Sequence, residues 1–221
     1  MNRYKFLIIV LFLVFVFSFS KVNAIINNYS LIGKTIYLDA GHGGKDSGAV
    51  FNDILEKDIN LIIVKKLESI LISRGATVYL TRDDDYDLSS SKKGRKRSDL
   101  RNRANVINKS DCDLYVSIHL NYIRNSRWNG LQIFYNNKND KNELLAKNMT
   151  DYLKEKMKNV RDYKIATDYY MYNLINKPGV LMELGFLSNP DDRYILTKDS
   201  YQNIIVLYIA DALEYAITKK I

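Results

Sequence analysis

Apolar positions along the chain alternate between short runs typical of buried strands and longer stretches with helical spacing. Strands are predicted at residues 34–40, 76–81, 114–119, 130–135 and 179–186. Helices are predicted at residues 56–74, 98–108, 142–158, 191–196 and 200–218. Alternating strands and helices predict an α/β fold. We expect a single domain with a largely parallel, twisted sheet of about six strands and helices on both faces.

Two segments do not follow this alternation. Residues 83–99 carry an acidic run and then a basic run, which is typical of a mobile surface loop. Ser98 is predicted to cap the helix that follows. Residues 160–176 are ambiguous, with short strand pieces expected around Lys164 and Met171.

The N-terminus has the pattern of an export signal. Residues 1–5 are basic, and residues 6–19 are almost entirely apolar, a run shorter than the roughly 20 residues of a membrane span. Val22, Asn23 and Ala24 follow, small residues where a signal peptidase would cut. We therefore predict a signal peptide over residues 1–24 and a folded domain over 25–221 outside the cytoplasm. The alternative is an uncleaved N-terminal anchor, the single route by which we expect membrane attachment.

Composition and charge narrow the possible classes of protein. The 221 residues are 47% hydrophobic and 26% charged, which excludes disordered and fibrous chains. The formal net charge is +8, and it is +5 once residues 1–24 are set aside. This mild excess suits anionic polymers, including cell-wall glycans, and we expect no nucleic-acid partner.

Cysteine and histidine are scarce. The single cysteine, Cys112, excludes an intramolecular disulfide and a cysteine-based zinc cluster. Its neighbours Asp111 and Asp113 raise the pKa of a thiol, which argues against a thiolate nucleophile. With two histidines in the chain, a metal site with three or more protein ligands must recruit carboxylates.

Three polar residues lie near the carboxyl ends of predicted strands, which is where parallel sheets usually bind their ligands. His42 follows the first strand, His119 closes the third, and Glu183 interrupts an apolar strand. Each also has a structural interpretation: a hydrogen-bonding histidine, or a salt-bridged acid at the edge of the sheet. The glycines of residues 41–48 fit neither a phosphate-binding loop nor the turn of a serine hydrolase.

Five motifs occur in one order along the chain. They are residues 39–49 (DAGHGGKDSGA), Glu56-Lys57 opening a helix, Thr81-Arg82 after the second strand, residues 117–121 (SIHLN) and residues 183–189 (ELGFLSN). With these motifs the sequence resembles the zinc-dependent N-acetylmuramoyl-L-alanine amidases, the amidase type 3 family, over roughly residues 34–216.

The resemblance implies a set of functional residues. His42, Glu56 and His119 would bind Zn²⁺, and a fourth position would remain for water. Glu183 would be the catalytic general base for hydrolysis of the amide between the lactyl group of N-acetylmuramic acid and L-alanine. Asp53 and Asp58 are competing acids near Glu56.

Other residues of the family pattern have open roles. Ser117 and Asn121 could orient His119, or could simply form hydrogen bonds at a strand end. Arg82 and Arg103 match arginines of the family, and we expect both to be structural. Residues 84–99 are expected to form a solvated loop that meets anionic glycan rather than a helix that blocks the zinc.

The resemblance also implies partners and a location. The substrate would be the glycan and stem peptide of peptidoglycan, and the layout is closest to the germination-specific amidases of spore cortex. We expect an exported protein of the cell wall, or of the spore cortex and intermembrane space, that acts in cortex modification or wall remodelling.

An accessory activating protein could be needed for zinc loading, with exposed Tyr or Ile side chains on the long helices as its interface. The alternatives are a non-catalytic peptidoglycan-binding or regulatory module and a zinc sugar deacetylase.

Overall fold

The computed structural model describes residues 4, 10–16 and 30–219. Residues 10–16 are helical, and the rest of the predicted signal peptide lies outside the described residues, except for residue 4. Within the described part of the chain, no helix is both long enough and apolar enough to cross a membrane.

A six-stranded sheet forms the centre of the molecule. Its strands are β1 (Thr35–Ala40), β4 (Thr77–Leu80), β5 (Leu114–Asn121), β6 (Gln132–Tyr135), β7 (Lys164–Ile165) and β8 (Gly179–Phe186). Their order is β4-β1-β5-β8-β6-β7, and every neighbouring pair is parallel except β6 with β8. A separate hairpin, β2 (Val50–Phe51) with β3 (Ile54–Leu55), was not expected from the sequence.

Five α-helices accompany the sheet within residues 30–219. They are α1 (Glu56–Ser73), α2 (Arg95–Lys109), α3 (Lys141–Lys156), α4 (Pro190–Leu196) and α5 (Asp199–Thr218), with a 3₁₀ turn at Tyr172–Leu174. Side chains of a strand alternate between the two faces of its sheet. Ile36 and Val116 lie in the cluster with α1, α3 and α5, whereas Tyr37 and Tyr115 lie in the cluster with α2 and the 3₁₀ turn. The predicted single α/β domain with helices on both faces is therefore confirmed.

The start of α2 and the segment near Met171 differ from the prediction. α2 begins at Arg95, directly after Gly94, which has a φ of 70°. Ser98 therefore does not cap the helix; it lies in the first turn, and its hydroxyl accepts a hydrogen bond from the Ser90 backbone at 3.2 Å. The strand piece expected at Met171 is the start of the 3₁₀ turn, whereas the one at Lys164 is β7.

The polar segment before α2 is held against the rest of the domain. Lys57 Nζ donates to Asp85 at 2.6 Å, and Arg95 Nε donates to Asp87 at 2.6 Å. The Leu88 backbone donates to Asp99 at 2.7 Å. The acidic run is therefore paired with basic side chains and backbone donors, which composition alone could not indicate.

A buried ion-pair network lies at the carboxyl end of β1. Arg103 of α2 pairs with Asp39 at 2.8 Å and with Asp99 at 2.9 Å, and all three side chains are buried. Burial by itself would raise the pKa of Asp39, but Arg103, His119 and the hydrogen bonds from Ser117 and Thr81 together outweigh burial and lower this pKa to about 2. Asp39 is thus ionised at every physiological pH and depends on its partners.

We predict that Arg103→Met destabilises the protein by about 3–5 kcal/mol, because it leaves the Asp39 and Asp99 carboxylates buried without a counter-charge. Arg101→Met is the matched control, since Arg101 lies on the same helix but is exposed; we expect a loss of about 0.5 kcal/mol or less. Urea unfolding of both variants gives the comparison. Equal losses would mean that the network contributes nothing specific to stability.

Candidate metal centre

The order of the strands brings the predicted residues to one edge of the sheet. β1, β5 and β8 are adjacent and parallel, and His119 lies directly opposite Glu183 in the register of β5 and β8. The Gly41 backbone donates to the Ile118 carbonyl at 3.0 Å, which carries the chain after β1 past the end of β5. The rings of His42 and His119 consequently lie 4.9 Å apart, centroid to centroid.

Glu56 joins the two histidines from a different element. It is the first residue of α1, directly after the β2–β3 hairpin. Its Oε1 atom lies 3.2 Å from His42 Nε2 and 3.0 Å from His119 Nδ1. Among the described residues, these three side chains form the group that could hold a metal ion. The competing acids Asp53 and Asp58 are exposed and do not belong to it.

Hydrogen bonds fix the orientation of the Glu56 carboxylate. The Ala49 backbone donates to Oε2 at 2.8 Å and the Leu120 backbone donates to Oε1 at 3.0 Å. Asn60, one turn further along α1, donates to Oε1 at 3.3 Å. Burial would raise the pKa of Glu56, but His119 and His42 outweigh it and hold this pKa well below its usual range. Glu56 is therefore a rigid, permanently ionised carboxylate.

The backbone at His42 is strained and is held by two arginines. His42 has a φ of 63°, in the left-handed region that non-glycine residues rarely adopt. Arg103 donates to the Ala40 and His42 carbonyls, and Arg82 donates to Ala40 at 2.9 Å and Gly41 at 3.1 Å. Both arginines are almost fully buried. The contacts agree with the structural role expected for them.

Two glycines of the first motif leave space for the side chains of the site. A Cβ atom on Gly41 would lie 2.2 Å from His119 Nε2. A Cβ atom on Gly48 would lie 2.5 Å from Glu56 Oε2, and Gly48 also has a φ of 67°. Any other residue at either position would displace His119 or Glu56.

The donor set fits a divalent cation. A tetrahedral site with bonds of 2.0–2.1 Å places its ligand atoms about 3.3 Å apart, close to the 3.0 and 3.2 Å contacts of Glu56 Oε1. Two imidazoles and one carboxylate also leave a fourth position open, as catalytic zinc sites do. The residues present therefore fit zinc.

The charges around His42 also favour a cation. Asp46 Oδ2 lies 3.0 Å from His42 Nδ1, although it is not aligned with an N–H of the ring. Burial would lower the pKa of His42, but the Asp46 and Glu56 carboxylates raise it to about 9. Without a metal, a proton on His42 balances these carboxylates.

Glu183 is a buried carboxyl without a partner. Its side chain is 6% exposed, and Oε2 has no hydrogen-bond partner within the described residues. Burial, with a smaller contribution from the Glu56 carboxylate, raises the pKa of Glu183 to about 8. An unpaired buried acid at this edge of the sheet is costly, which is typical of a functional group rather than a structural one.

A cleft of about 670 Å³ opens beside these four residues. Its walls include Asn121, Tyr122, Lys96 and residues 169–172. Ser117 does not line this cleft; its hydroxyl donates to Asp39 and accepts from Tyr172 at 3.0 Å. Of the two residues proposed to orient His119, Ser117 therefore belongs to the buried network below the site.

Sequence reasoning missed several residues of the cleft. Asp46 lies inside the first motif, four residues after His42, and this spacing was the available signal. Lys96 was hidden in a basic run. Tyr169 and Tyr170 fall in the ambiguous segment, where no periodicity indicated a role.

Comparison with known proteins identifies the family of this chain. The family model described as N-acetylmuramoyl-L-alanine amidase (Amidase_3) matches residues 36–215. The germination-specific N-acetylmuramoyl-L-alanine amidase of Bacillus subtilis is 42% identical over 195 residues, which cover 86% of this chain and 82% of the relative.

Solved structures show the same fold. The CwlD amidase from Clostridioides difficile, solved in complex with the GerS lipoprotein, is 38% identical with a TM-score of 0.76 and covers 85% of this chain and 98% of its own. The N-acetylmuramoyl-L-alanine amidase AmiC2 of Nostoc punctiforme is 28% identical with a TM-score of 0.72 and covers 84% and 97%. Motifs, fold and relatives agree, and the chain belongs to the Amidase_3 family of N-acetylmuramoyl-L-alanine amidases, the peptidoglycan amidases.

Proposed function

We propose that this amidase depends on zinc, with His42, Glu56 and His119 as the metal ligands and Glu183 as the general base. The observation that carries the proposal is that one ring nitrogen of each histidine lies against Glu56 Oε1, beside the unpartnered Glu183 carboxyl in an open cleft. A purely structural role would explain neither the cluster around Glu56 Oε1 nor the burial of an unpaired Glu183 carboxyl.

The chain's own residues divide the work of hydrolysis. When bound, zinc supplies a positive centre that polarises the lactyl carbonyl and lowers the pKa of a water. Glu183 accepts the proton of the attacking water at its free Oε2 atom and passes it to the leaving amine of L-alanine. A pKa raised to about 8 by burial favours the protonated form, whereas a nearby dication favours the carboxylate, so Glu183 can both accept and donate a proton.

We further assign the enzyme to the spore cortex, outside the cytoplasm, with residues 1–24 as its export signal and residues 25–221 as the zinc amidase domain. The germination-specific relative at 42% identity supports the cortex, and cell-wall relatives support a place outside the cytoplasm. The GerS complex of the CwlD amidase supports an accessory lipoprotein for this chain too. Ile62 and Ile72 of α1 and Ile204 of α5 are exposed on the long helices and are candidates for that interface.

The alternatives predict different products from the same site. A sugar deacetylase would release acetate, and a non-catalytic module would bind peptidoglycan without releasing peptide. All four metal and base positions are filled here, which favours an active enzyme.

The first prediction concerns the metal. Glu56→Gln and His119→Ala each remove one of three protein ligands, so we expect zinc affinity to fall by more than the roughly 10–100-fold typical of an outer-shell change. Asp58→Asn is the matched control, because Asp58 is an exposed acid in the same helical turn. Competition titration with a chelator measures all three.

Unchanged zinc affinity in Glu56→Gln would contradict the ligand assignment. The same titration tests the accessory protein: stoichiometric zinc and full activity in the wild-type protein purified alone would remove the need for one.

The second prediction concerns the base. Glu183→Gln keeps the size and burial of the side chain but cannot accept a proton, so the rate should fall about 10²–10⁴-fold with zinc retained. Release of stem peptide, read as new amino termini on digested peptidoglycan, measures the rate. Full activity of this variant would rule out the base, and acetate as the product would support the deacetylase.

The third prediction is a pH dependence in the metal-free protein. The pKa of Glu183 is about 4.5 in an unfolded chain and about 8 in the folded one. Between these values the folded protein holds a proton that the unfolded chain has released, so rising pH lowers stability by at most about 1.4 kcal/mol per pH unit.

Glu183→Gln has no titrating carboxyl and therefore does not lose stability in this way as the pH rises. We therefore expect its melting temperature to exceed that of the wild type by a margin that grows from pH 5 to pH 8 and then levels off. Calorimetry in the presence of a chelator measures the margin; a difference independent of pH would contradict the raised pKa.

A further inference from the structure

The cleft beside the metal centre has an uneven charge. Its acidic wall residues are Asp46, Glu56 and Glu183, and among the described residues Lys96 is its one Lys or Arg side chain. An anionic group that enters the cleft therefore has one side-chain ammonium to meet.

Lys96 is free to bind such a group. Its side chain is 66% exposed, and its Nζ atom lies 3.5 Å from Asp46 Oδ2. This separation is longer than the 2.7–2.9 Å of a good charge-assisted hydrogen bond, so the existing ion pair is weak. Asp46 is also engaged on its other side, 3.0 Å from His42 Nδ1.

The neighbouring arginines are already occupied. The Arg97 guanidinium lies 4.7 Å from the centre of the Tyr170 ring, and Arg101 donates to the Tyr170 hydroxyl at 3.3 Å. These contacts join α2 to residues 169–172, which form another wall of the cleft. Lys96 is thus the basic residue of this turn that faces the cleft, beside a wall that its neighbours hold in place.

A second cavity continues from Lys96. We call it the side cavity; its volume is about 250 Å³, and its walls are Lys45, Asp46, Asp87, Arg95, Lys96 and Asp99. Lys96 and Asp46 line both spaces and therefore stand between them. In the side cavity, Arg95 forms an ion pair with Asp87, and Asp99 forms one with Arg103. Lys45 has no ion pair within residues 30–219. A further basic residue, Lys45, thus lines a cavity that shares Lys96 and Asp46 with the cleft.

The chemistry of the substrate indicates what would lie there, if the proposed function holds. In intact peptidoglycan the lactyl carboxyl is consumed in the amide to be cleaved, and the two acetylated sugars carry no charge. The carboxylates of this substrate therefore lie on the stem peptide, beyond L-alanine. Asp46 Oδ2 lies 3.5 Å from Lys96 Nζ and 3.0 Å from His42 Nδ1. An extended peptide advances about 3.3–3.6 Å per residue, so no more than about two residues fit between Lys96 Nζ and the His42 ring.

We propose that Lys96 is a specificity-determining residue that binds a carboxylate of the stem peptide about two residues beyond the scissile amide, and that the peptide continues into the side cavity. The glycan then lies on the opposite side of the metal centre. Within the basic run of residues 92–97, Lys96 accordingly recognises the peptide and not the glycan. This inference rests on the proposed amidase function.

The test compares two muropeptides that differ in one group, a free or an amidated carboxyl on the second residue of the stem. In the zinc-loaded wild type we expect the KM of the free acid to be lower by about 5- to 10-fold, as for one charge-assisted contact in a partly exposed site. Lys96→Met should abolish this preference in KM with zinc content retained, and Lys96→Arg should keep it. Lys93→Met is the matched control, since Lys93 is exposed in the same run but lines neither space.

Three outcomes would overturn the proposal: no preference in the wild type, a preference that survives in Lys96→Met, or an equal loss for both muropeptides with reduced zinc content. The last would show that Lys96 acts through Asp46 and His42 on the metal. A binding titration of both muropeptides to zinc-loaded Glu183→Gln, with and without Lys96→Met, separates the two proposals. If neither muropeptide is cleaved by the wild type, the amidase proposal fails, while the acid-over-amide preference in binding still decides the role of Lys96.

Discussion

The site depends on one constraint: the loop after β1 must turn back over the sheet with His42 in a left-handed backbone conformation. Arg82 and Arg103 make this possible, because their guanidinium groups occupy the carbonyls of residues 40–42 that the turn leaves without strand partners. Buried carbonyls need such donors, and a buried arginine needs acids in turn. Asp39 supplies the counter-charge for Arg103, so the strand, the loop and α2 are fixed by one network.

The centre of the site is a balance of buried charge. Glu56 is held ionised by two histidines, and Glu183 is buried close enough that the Glu56 carboxylate adds to its raised pKa. Like charges in a dry environment repel strongly, and a dication relieves that repulsion. The same features that make the metal-free site unfavourable therefore suit it to a divalent cation. The buried carboxylates lower the stability of the metal-free protein, and the apolar core on both faces of the sheet compensates for this loss.

Two segments with little regular structure lie beside the site, one along the cleft and one along the side cavity. Residues 83–94 are attached to α1 through Asp85 and to α2 through Asp87, and residues 169–172 are attached to α2 through Tyr170. Residues 169–172 line the cleft and Asp87 lines the side cavity, beside a centre built on rigid strands and a helix. This division is typical of enzymes in which a constant scaffold carries the chemistry and the loops determine the substrate.

The sequence by itself determined the α/β class, the strand before His42, the strands that contain His119 and Glu183, and the family. These depend on periodicity and on motifs, which are local properties of the chain. Glu56 was identified through resemblance alone, since an acid at the start of a helix is common. Tertiary structure decided the rest: which strands are neighbours, that Ser117 faces Asp39, that α2 begins at Arg95, and that Lys96 lines the cleft. Such contacts join residues many positions apart, and their energies depend on distances and burial that a linear pattern does not contain.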